Sequence, residues 1–260
     1  MTSRDGVRLA CLDHGGDGSA AVLVHGLAGH AGEWDGTAAW LDASHRVVAP
    51  DARGHGRSER RPGDVSRAAY VDDLAHWIDV LQLAPAVVIG QSLGAHTAFL
   101  LAARRPELVR ALVVAEATPE PDPDAPGSVE GWLSSWPVPF AGREDALAFF
   151  GDTVWGRAWA DGLERRDDGL WPAFDVEVMV ASLAETAERD CWEEWRRISC
   201  PALVVRAGDD GVPAELVDRM VAEAQNASSA VVPDAGHDLH LCQPERWRKV
   251  VESFLERVRA

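Results

Sequence analysis

The sequence predicts an α/β fold, with a mostly parallel twisted sheet, helices on both of its faces and a helical cap insertion. Three observations support this prediction: short apolar runs of strand length, segments of helical periodicity between them, and one long break in that alternation. Strands that are apolar on both faces are typical of covered parallel sheets, and strand–helix alternation produces such sheets. A chain of 260 residues is long enough for one core of this kind with an insertion.

The first half of the chain alternates regularly between the two kinds of segment. Short apolar runs bounded by turn residues predict strands at 7–12, 20–24, 45–49, 86–90 and 108–115. Apolar residues at helical spacing, or a mixed polar and apolar pattern, predict helices at 32–42, 66–81 and 93–104. The predicted elements therefore form the strand–helix repeat of a parallel sheet.

The alternation breaks after residue 117 and resumes near residue 200. Residues 118–127, TPEPDPDAPG, are rich in proline and acid, which indicates a loop leaving the sheet. Residues 132–190 have a helical pattern with interruptions and no convincing strand. Strands then follow at 202–206 and 230–232, and helices at 214–224 and 245–259. We therefore predict a core of residues 1–117 and 191–260, and a cap, or lid, of residues 118–190.

Composition and charge exclude several classes of protein. The net charge is −17, with Lys249 as the only lysine, and this field repels nucleic-acid backbones and anionic membrane surfaces. The sequence contains neither a signal-like apolar stretch at its start nor an apolar run of membrane-spanning length. The four cysteines form no CxxC pair, so we expect neither a disulfide framework nor a zinc site. We expect a cytoplasmic protein without metal or cofactor.

Gly90-Gln91-Ser92-Leu93-Gly94 lies where a predicted strand gives way to a predicted helix. A G-x-S-x-G pattern in this context is typical of a nucleophile elbow, a tight turn that exposes a serine at a helix N-terminus. Backbone N–H groups at such a terminus attract negative charge, as acyl-transfer chemistry requires. A strand-to-helix turn that merely contains serine is the alternative, but the position directly after AVVIG favours a catalytic Ser92.

Three further motifs occur in an order that resembles the α/β-hydrolase family across nearly the whole chain. Residues 24–27 (VHGL) resemble the family's oxyanion loop, residues 51–58 (DARGHGRS) its D-x-R-G-x-G-x-S segment, and residues 235–237 (AGH) the turn that carries its base. The resemblance implies a serine hydrolase with an acyl-enzyme intermediate, a Ser-His-acid triad and no cofactor. It also implies that the oxyanion is bound by the backbone N–H groups of Leu27 and Leu93.

His237 is the predicted base among the nine histidines. It follows the strand at 230–232, so it emerges at the same sheet edge as Ser92. For the acid, the resemblance points to the loop after the strand at 202–206. We choose Asp210 there, although counting back from Val212-Pro213 selects Asp209. Glu116, at the end of the preceding strand, is a third candidate, since some family members carry their acid at that place.

Eleven tryptophans are many for this length, and several fall in the predicted cap. We predict that Trp132, Trp136, Trp155 and Trp159 contact the substrate. The part of the substrate that these rings contact is then bulky and apolar or aromatic. The alternative for each ring is that it only packs the cap onto the core.

Carboxylic ester, lactone or thioester cleavage is the predicted reaction. An aspartate nucleophile is usual in related dehalogenases and epoxide hydrolases, and Ser92 disfavours both. The same triad also serves C–C bond hydrolysis, perhydrolysis, and acyl-transfer or lyase chemistry, which stay open. A hypothesis of another class is a ligand-binding receptor with little turnover. An intact serine and histidine weigh against it.

Overall fold

A central seven-stranded sheet dominates the structure, a computed structural model that describes residues 1–208 and 211–259. The described strands, in chain order, are β1 (Ala10–Gly15), β2 (Ser19–Val24), β3 (His45–Asp51), β4 (Ala86–Gln91), β5 (Val109–Ala115), β6 (Glu164–Arg166), β7 (Gly169–Trp171), β8 (Ala202–Ala207) and β9 (Ala227–Val232). The order across the central sheet is β1-β3-β2-β4-β5-β8-β9, and only β1 runs antiparallel to its neighbour. The predicted mostly parallel sheet is therefore confirmed.

Twelve α-helices are described in these residues. They are α1 (Asp35–Leu41), α2 (Arg67–Val80), α3 (Leu93–Arg104), α4 (Ala125–Ser134), α5 (Arg143–Phe150), α6 (Val154–Asp161), α7 (Val176–Ser182), α8 (Ala184–Glu188), α9 (Trp192–Arg196), α10 (Ala214–Glu223), α11 (Leu239–Cys242) and α12 (Pro244–Arg259). Within the described ranges, none of them combines the length and the apolar character that crossing a bilayer demands.

Both faces of the sheet are buried, as the apolar strands require. In β4, Val88 packs with residues of α2 and α3, while Val87 and Ile89 pack with residues of α1 and α12. Successive side chains of a strand point to opposite faces, so an all-apolar strand needs helices on both sides. The sheet is thus a rigid platform, and loops at its carboxyl edge are held by two hydrophobic cores.

Residues 118–190, called here the cap segment, lie between β5 and α9. They form helices α4 to α8 and the antiparallel hairpin of β6 and β7. The hairpin corrects the helical prediction for this stretch. Its turn, Asp167-Asp168 followed by Gly169 at φ 145°, has the composition of a tight hairpin turn, which the helical interpretation overlooked.

Strands β1 and β9 differ most from their predicted bounds. β1 begins at Ala10, three residues later than predicted. The prediction relied on the apolar alternation of Val7 and Leu9, but those two side chains pack in a small separate cluster with Trp77. β9 begins at Ala227 and includes Ser228-Ser229, polar residues that an outermost strand tolerates.

Candidate active site

Ser92 lies at the turn between β4 and α3 in a strained conformation. Its backbone has φ 51° and ψ −122°, and it is the residue that caps α3. A non-glycine residue in such a region costs about 1–3 kcal/mol and persists where the surroundings enforce it. Here the N–H of Ser92 donates to the carbonyl of Ala115 at 2.8 Å, which ties the turn to the neighbouring strand. The predicted elbow is therefore present as a backbone structure.

Close backbone contacts explain the two glycines of the motif. A Cβ at Gly90 would lie 2.6 Å from the Cα of Ala95, and one at Gly94 would lie 2.3 Å from the carbonyl oxygens of Val24 and His25. Real Cβ atoms do not approach backbone this closely, so α3 packs against the ends of β4 and β2 only because these two positions lack a side chain.

The same packing brings the two predicted oxyanion donors to the nucleophile. Leu93 is the first residue of α3, where backbone N–H groups lack intrahelical partners. A Cβ at Gly26 would lie 3.3 Å from the Cβ of Ser92, so the loop that continues into Leu27 touches the serine. Leu27 also lines the cavity at Ser92.

His237 lies in the loop after β9 and lines the same cavity as Ser92. Its carbonyl accepts a hydrogen bond from Nε2 of Gln91 at 3.0 Å. Gln91 immediately precedes Ser92, so this bond ties the loop of the histidine directly to the elbow. The role of Gln91 was not predicted from the sequence, because this residue occupies a variable position of the G-x-S-x-G pattern.

The Glu116 carboxylate lies against the His237 imidazole. Oε2 of Glu116 is 3.4 Å from Nδ1 of His237, and the acid side chain is only 3% exposed. Its Oε1 accepts hydrogen bonds from the N–H groups of Ala207 at 2.6 Å and Val212 at 3.4 Å. Gly211 makes room for it, because a Cβ there would lie 2.6 Å from Oε1. The structure thus brings the third candidate acid to the predicted base.

Asp209 and Asp210 lie outside the described residues. The choice of Asp210 as the acid, and Asp209 as its neighbouring alternative, therefore stays a prediction.

Two opposing effects act on the pKa of His237. Burial among neighbouring atoms disfavours the imidazolium, but the contact with Glu116 and the negative charge of Asp238 outweigh it and raise the pKa above its usual value. The imidazole is nevertheless 58% exposed, because it faces the open cavity, and solvent screening therefore weakens these charge effects.

A cavity of about 650 Å³ opens above Ser92 and His237 and is roofed by the cap segment. Trp132, Trp155 and Trp159, three of the four tryptophans predicted to contact the substrate, line this cavity. Trp136 does not line it; this ring is 4% exposed and packs inside the cap segment against Phe150.

Asp238, next to the base, fastens the cap segment to the core. Its Oδ2 accepts hydrogen bonds from Nε1 of Trp155 at 2.6 Å and of Trp159 at 3.4 Å. Both donors belong to α6 of the cap segment. Asp238 was not predicted from the sequence. Its position directly after His237 was the available signal.

Other histidines near the site are buried within the protein. Nε2 of His25 accepts from the N–H of Ala52 at 2.9 Å, and Nδ1 of His55 donates to the carbonyl of Arg53 at 2.9 Å. His96 packs against Phe99 on α3. In residues 1–208 and 211–259, no group of three or more histidine, cysteine or acidic side chains is arranged to hold a metal ion.

Comparison with known proteins identifies relatives along almost the whole chain. The model of the "Alpha/beta hydrolase family" matches residues 21–252. A 2-(acetamidomethylene)succinate hydrolase of Mesorhizobium japonicum is 26% identical over 250 residues, which are 93% of this chain and 89% of that protein. The crystal structure of an E-2-(acetamidomethylene)succinate hydrolase superposes with a TM-score of 0.88 at 24% identity, covering 98% of both chains. A thermophilic esterase from Thermogutta terrifontis superposes with a TM-score of 0.79 at 27% identity, covering 100% of this chain and 97% of that one.

Proposed function

Because the chain belongs to the alpha/beta hydrolase family, we propose that it is a serine hydrolase that cleaves a carboxylic ester, lactone or thioester. One observation carries this proposal: a serine on a strained elbow and a histidine tied to that elbow face one cavity. The similarity to the Thermogutta terrifontis esterase supports an ester as substrate.

The first half of the reaction forms an acyl-enzyme. Oγ of Ser92 attacks the carbonyl carbon of the substrate while His237 accepts the hydroxyl proton. The N–H groups of Leu27 and Leu93 bind the oxyanion, and donors of this kind are each worth about 3 kcal/mol in the transition state. His237 then gives its proton to the leaving group as the carbon–oxygen or carbon–sulfur bond breaks.

Water completes the second half. His237 removes a proton from a water molecule, which attacks the acyl carbon, and the proton then passes to Oγ of Ser92 as the acid is released. Glu116 is our proposed acid of the triad, since its carboxylate contacts Nδ1 of His237 and is itself held by two backbone N–H groups. In that position it fixes the tautomer of the imidazole and stabilises the imidazolium.

The succinate-derived substrate in the name of the Mesorhizobium japonicum relative is not proposed for this chain. A succinate derivative carries carboxylate groups, and binding them requires arginine, lysine or an equivalent set of donors. Among the described residues that line the cavity at Ser92, neither arginine nor lysine occurs. We propose instead a small-molecule substrate with a bulky apolar or aromatic part, in contact with the cap tryptophans.

A fluorophosphonate probe tests this proposal. We expect stoichiometric labelling of the wild-type protein, and the modified peptide should contain Ser92. An intact p-nitrophenyl ester that the protein hydrolyses should slow the labelling. Heat-denatured protein is the control, because the reactivity depends on the folded elbow. Labelling elsewhere, or none at all while the protein binds a ligand tightly, would favour a receptor over an enzyme. Products from an added acyl acceptor or hydrogen peroxide would identify acyl transfer or perhydrolysis.

The pH dependence follows from the state of His237. The base works only when neutral, so kcat/KM should rise with pH through the pKa of His237 in the free enzyme. Glu116 and Asp238 raise that pKa, so we expect the midpoint of the acidic limb above the usual value of about 6.5. A profile of kcat/KM for a neutral ester measures it, and a midpoint below that value contradicts the expected electrostatics.

A further inference from the structure

Several carboxylates line the space around the proposed nucleophile. Asp122 and Asp238 line the cavity above Ser92, and Glu116, Glu120 and Asp122 line an adjoining cleft of about 480 Å³ that also reaches the serine. Among the described residues, neither space is lined by lysine or arginine. The site therefore has a negative potential toward its ligand.

The charges of Asp122 and Asp238 are available to a ligand. Glu120 is paired with Arg219, whose Nη1 is 2.5 Å away, but residues 1–208 and 211–259 contain no such pair for Asp122 or Asp238. The bonds to Asp238 come from neutral indole N–H groups, which orient the carboxylate without neutralising it. The Asp122 carboxylate accepts a hydrogen bond from the backbone N–H of Asp124, a donor that is likewise uncharged.

Tryptophan rings line the same cavity, and two of them bond to Asp238 through Nε1. Trp132 is 40% exposed, and its ring meets that of Trp159 edge to face, with centroids 5.2 Å apart. The Trp155 and Trp159 centroids are 6.0 Å apart. The face of an indole ring attracts cations, and tryptophan does so more strongly than other aromatic side chains. Rings and carboxylates in one cavity are together suited to a cationic group.

We propose that this cavity selects esters whose non-reacting part carries an ammonium group, and that it discriminates against substrates that carry a carboxylate. This inference rests on the proposed hydrolase function and specifies its substrate class. The ammonium group contacts the tryptophan rings and lies close to the carboxylates of Asp122 and Asp238, while the carbonyl carbon reaches Ser92. The net charge of −17 draws cations toward the same opening from a distance.

Three matched esters test the selection. They are the phenyl acetates with a trimethylammonium, a tert-butyl or a carboxylate group at the meta position, which are cationic, neutral and anionic. Each kcat/KM is divided by the rate constant for hydroxide-catalysed hydrolysis of the same ester, which removes the reactivity of the leaving group. We expect the cation to exceed the neutral isostere by about tenfold or more, and the anion to fall at least as far below it.

Variants identify which carboxylates act. Asp122→Asn and Asp238→Asn should each lower the cation-to-neutral ratio by a factor of about three to ten. The ratio compares two esters within one variant, so a change in the reactivity of His237 that acts on both esters cancels. Asp124→Asn is the matched control, since this exposed neighbour of Asp122 does not line the cavity and its ratio should be unchanged. Equal ratios in all variants overturn the assignment.

A binding measurement separates failure of this inference from failure of the proposed function. In Ser92→Ala, we expect phenyltrimethylammonium to quench tryptophan fluorescence at concentrations at which tert-butylbenzene and benzoate do not. Hydrolysis of the neutral ester without any advantage for the cationic ester contradicts the charge selection but agrees with the hydrolase function. Preferential binding of the cation without turnover of any ester supports the charge selection and contradicts the hydrolase function. Equal binding of all three ligands overturns the charge selection by itself.

Discussion

Ser92→Ala and His237→Ala should each lower kcat for a p-nitrophenyl ester by a factor of about 10⁴ to 10⁶. Either change removes the attacking group or its activation, and neither partner compensates for the other. The double variant should therefore be no slower than the single variants, because serine and histidine act as one unit. Steady-state kinetics with active-site titration of the wild type measures these losses.

Thermal denaturation provides the control for this series. Ser92→Ala should not destabilise the protein, because alanine leaves the backbone bonds of the elbow in place and Ser92 donates to Ala115 through its N–H. Additive losses in the double variant, or residual turnover near the wild-type rate in either single variant, would contradict a joint role.

Glu116→Gln is expected to lower kcat by a factor of about 10³ to 10⁴. Glutamine has nearly the same shape but cannot stabilise the imidazolium, and its amide can hold the wrong tautomer. Loss of this charge should also lower the pKa of His237, since Glu116 is one of the groups that raise it. The acidic limb of kcat/KM should then move to lower pH.

Asp210→Asn and Asp209→Asn are the matched controls for the acid. If Glu116 is the acid, each should reduce kcat by less than about tenfold. A loss of about 10³-fold in Asp210→Asn, with Glu116→Gln almost fully active, assigns the role to Asp210 as first predicted from the sequence. Melting temperatures of all three variants distinguish a folding defect at the buried Glu116 from a catalytic one.

The sheet and elbow were predictable because their physical signals are local. The composition of AVVIG alone predicts a strand. The glycines on either side of Gln91-Ser92-Leu93 occupy positions where backbone contacts allow no side chain. β9 was predicted too short because Ser228-Ser229 look like a turn. At the outermost position of the sheet, backbone pairing with β8 suffices to hold them.

The polar partners of the site were harder to predict because they depend on distances between segments remote in sequence. Glu116 and His237 are 121 positions apart in the numbering, and their side chains meet because β5, β8 and β9 are neighbours in the sheet. Asp238 and Trp155 belong to different layers of the molecule, so their bond has no signature in either segment. Trp132 and Trp136 differ in exposure because Trp136, which follows the end of α4, packs among the buried residues of the cap segment, whereas Trp132 on α4 is 40% exposed.

The contact of Gly94 with the backbone of Val24 and His25 has a consequence for how such proteins diversify. Main chain touches main chain there, so the spacing between the end of β2 and the start of α3 does not depend on which side chains surround them. The elbow and the end of β2 can then stay fixed as one backbone unit while the sequence of the overlying helices changes. A backbone that superposes with a TM-score of 0.88 at 24% identity agrees with this independence from the side chains.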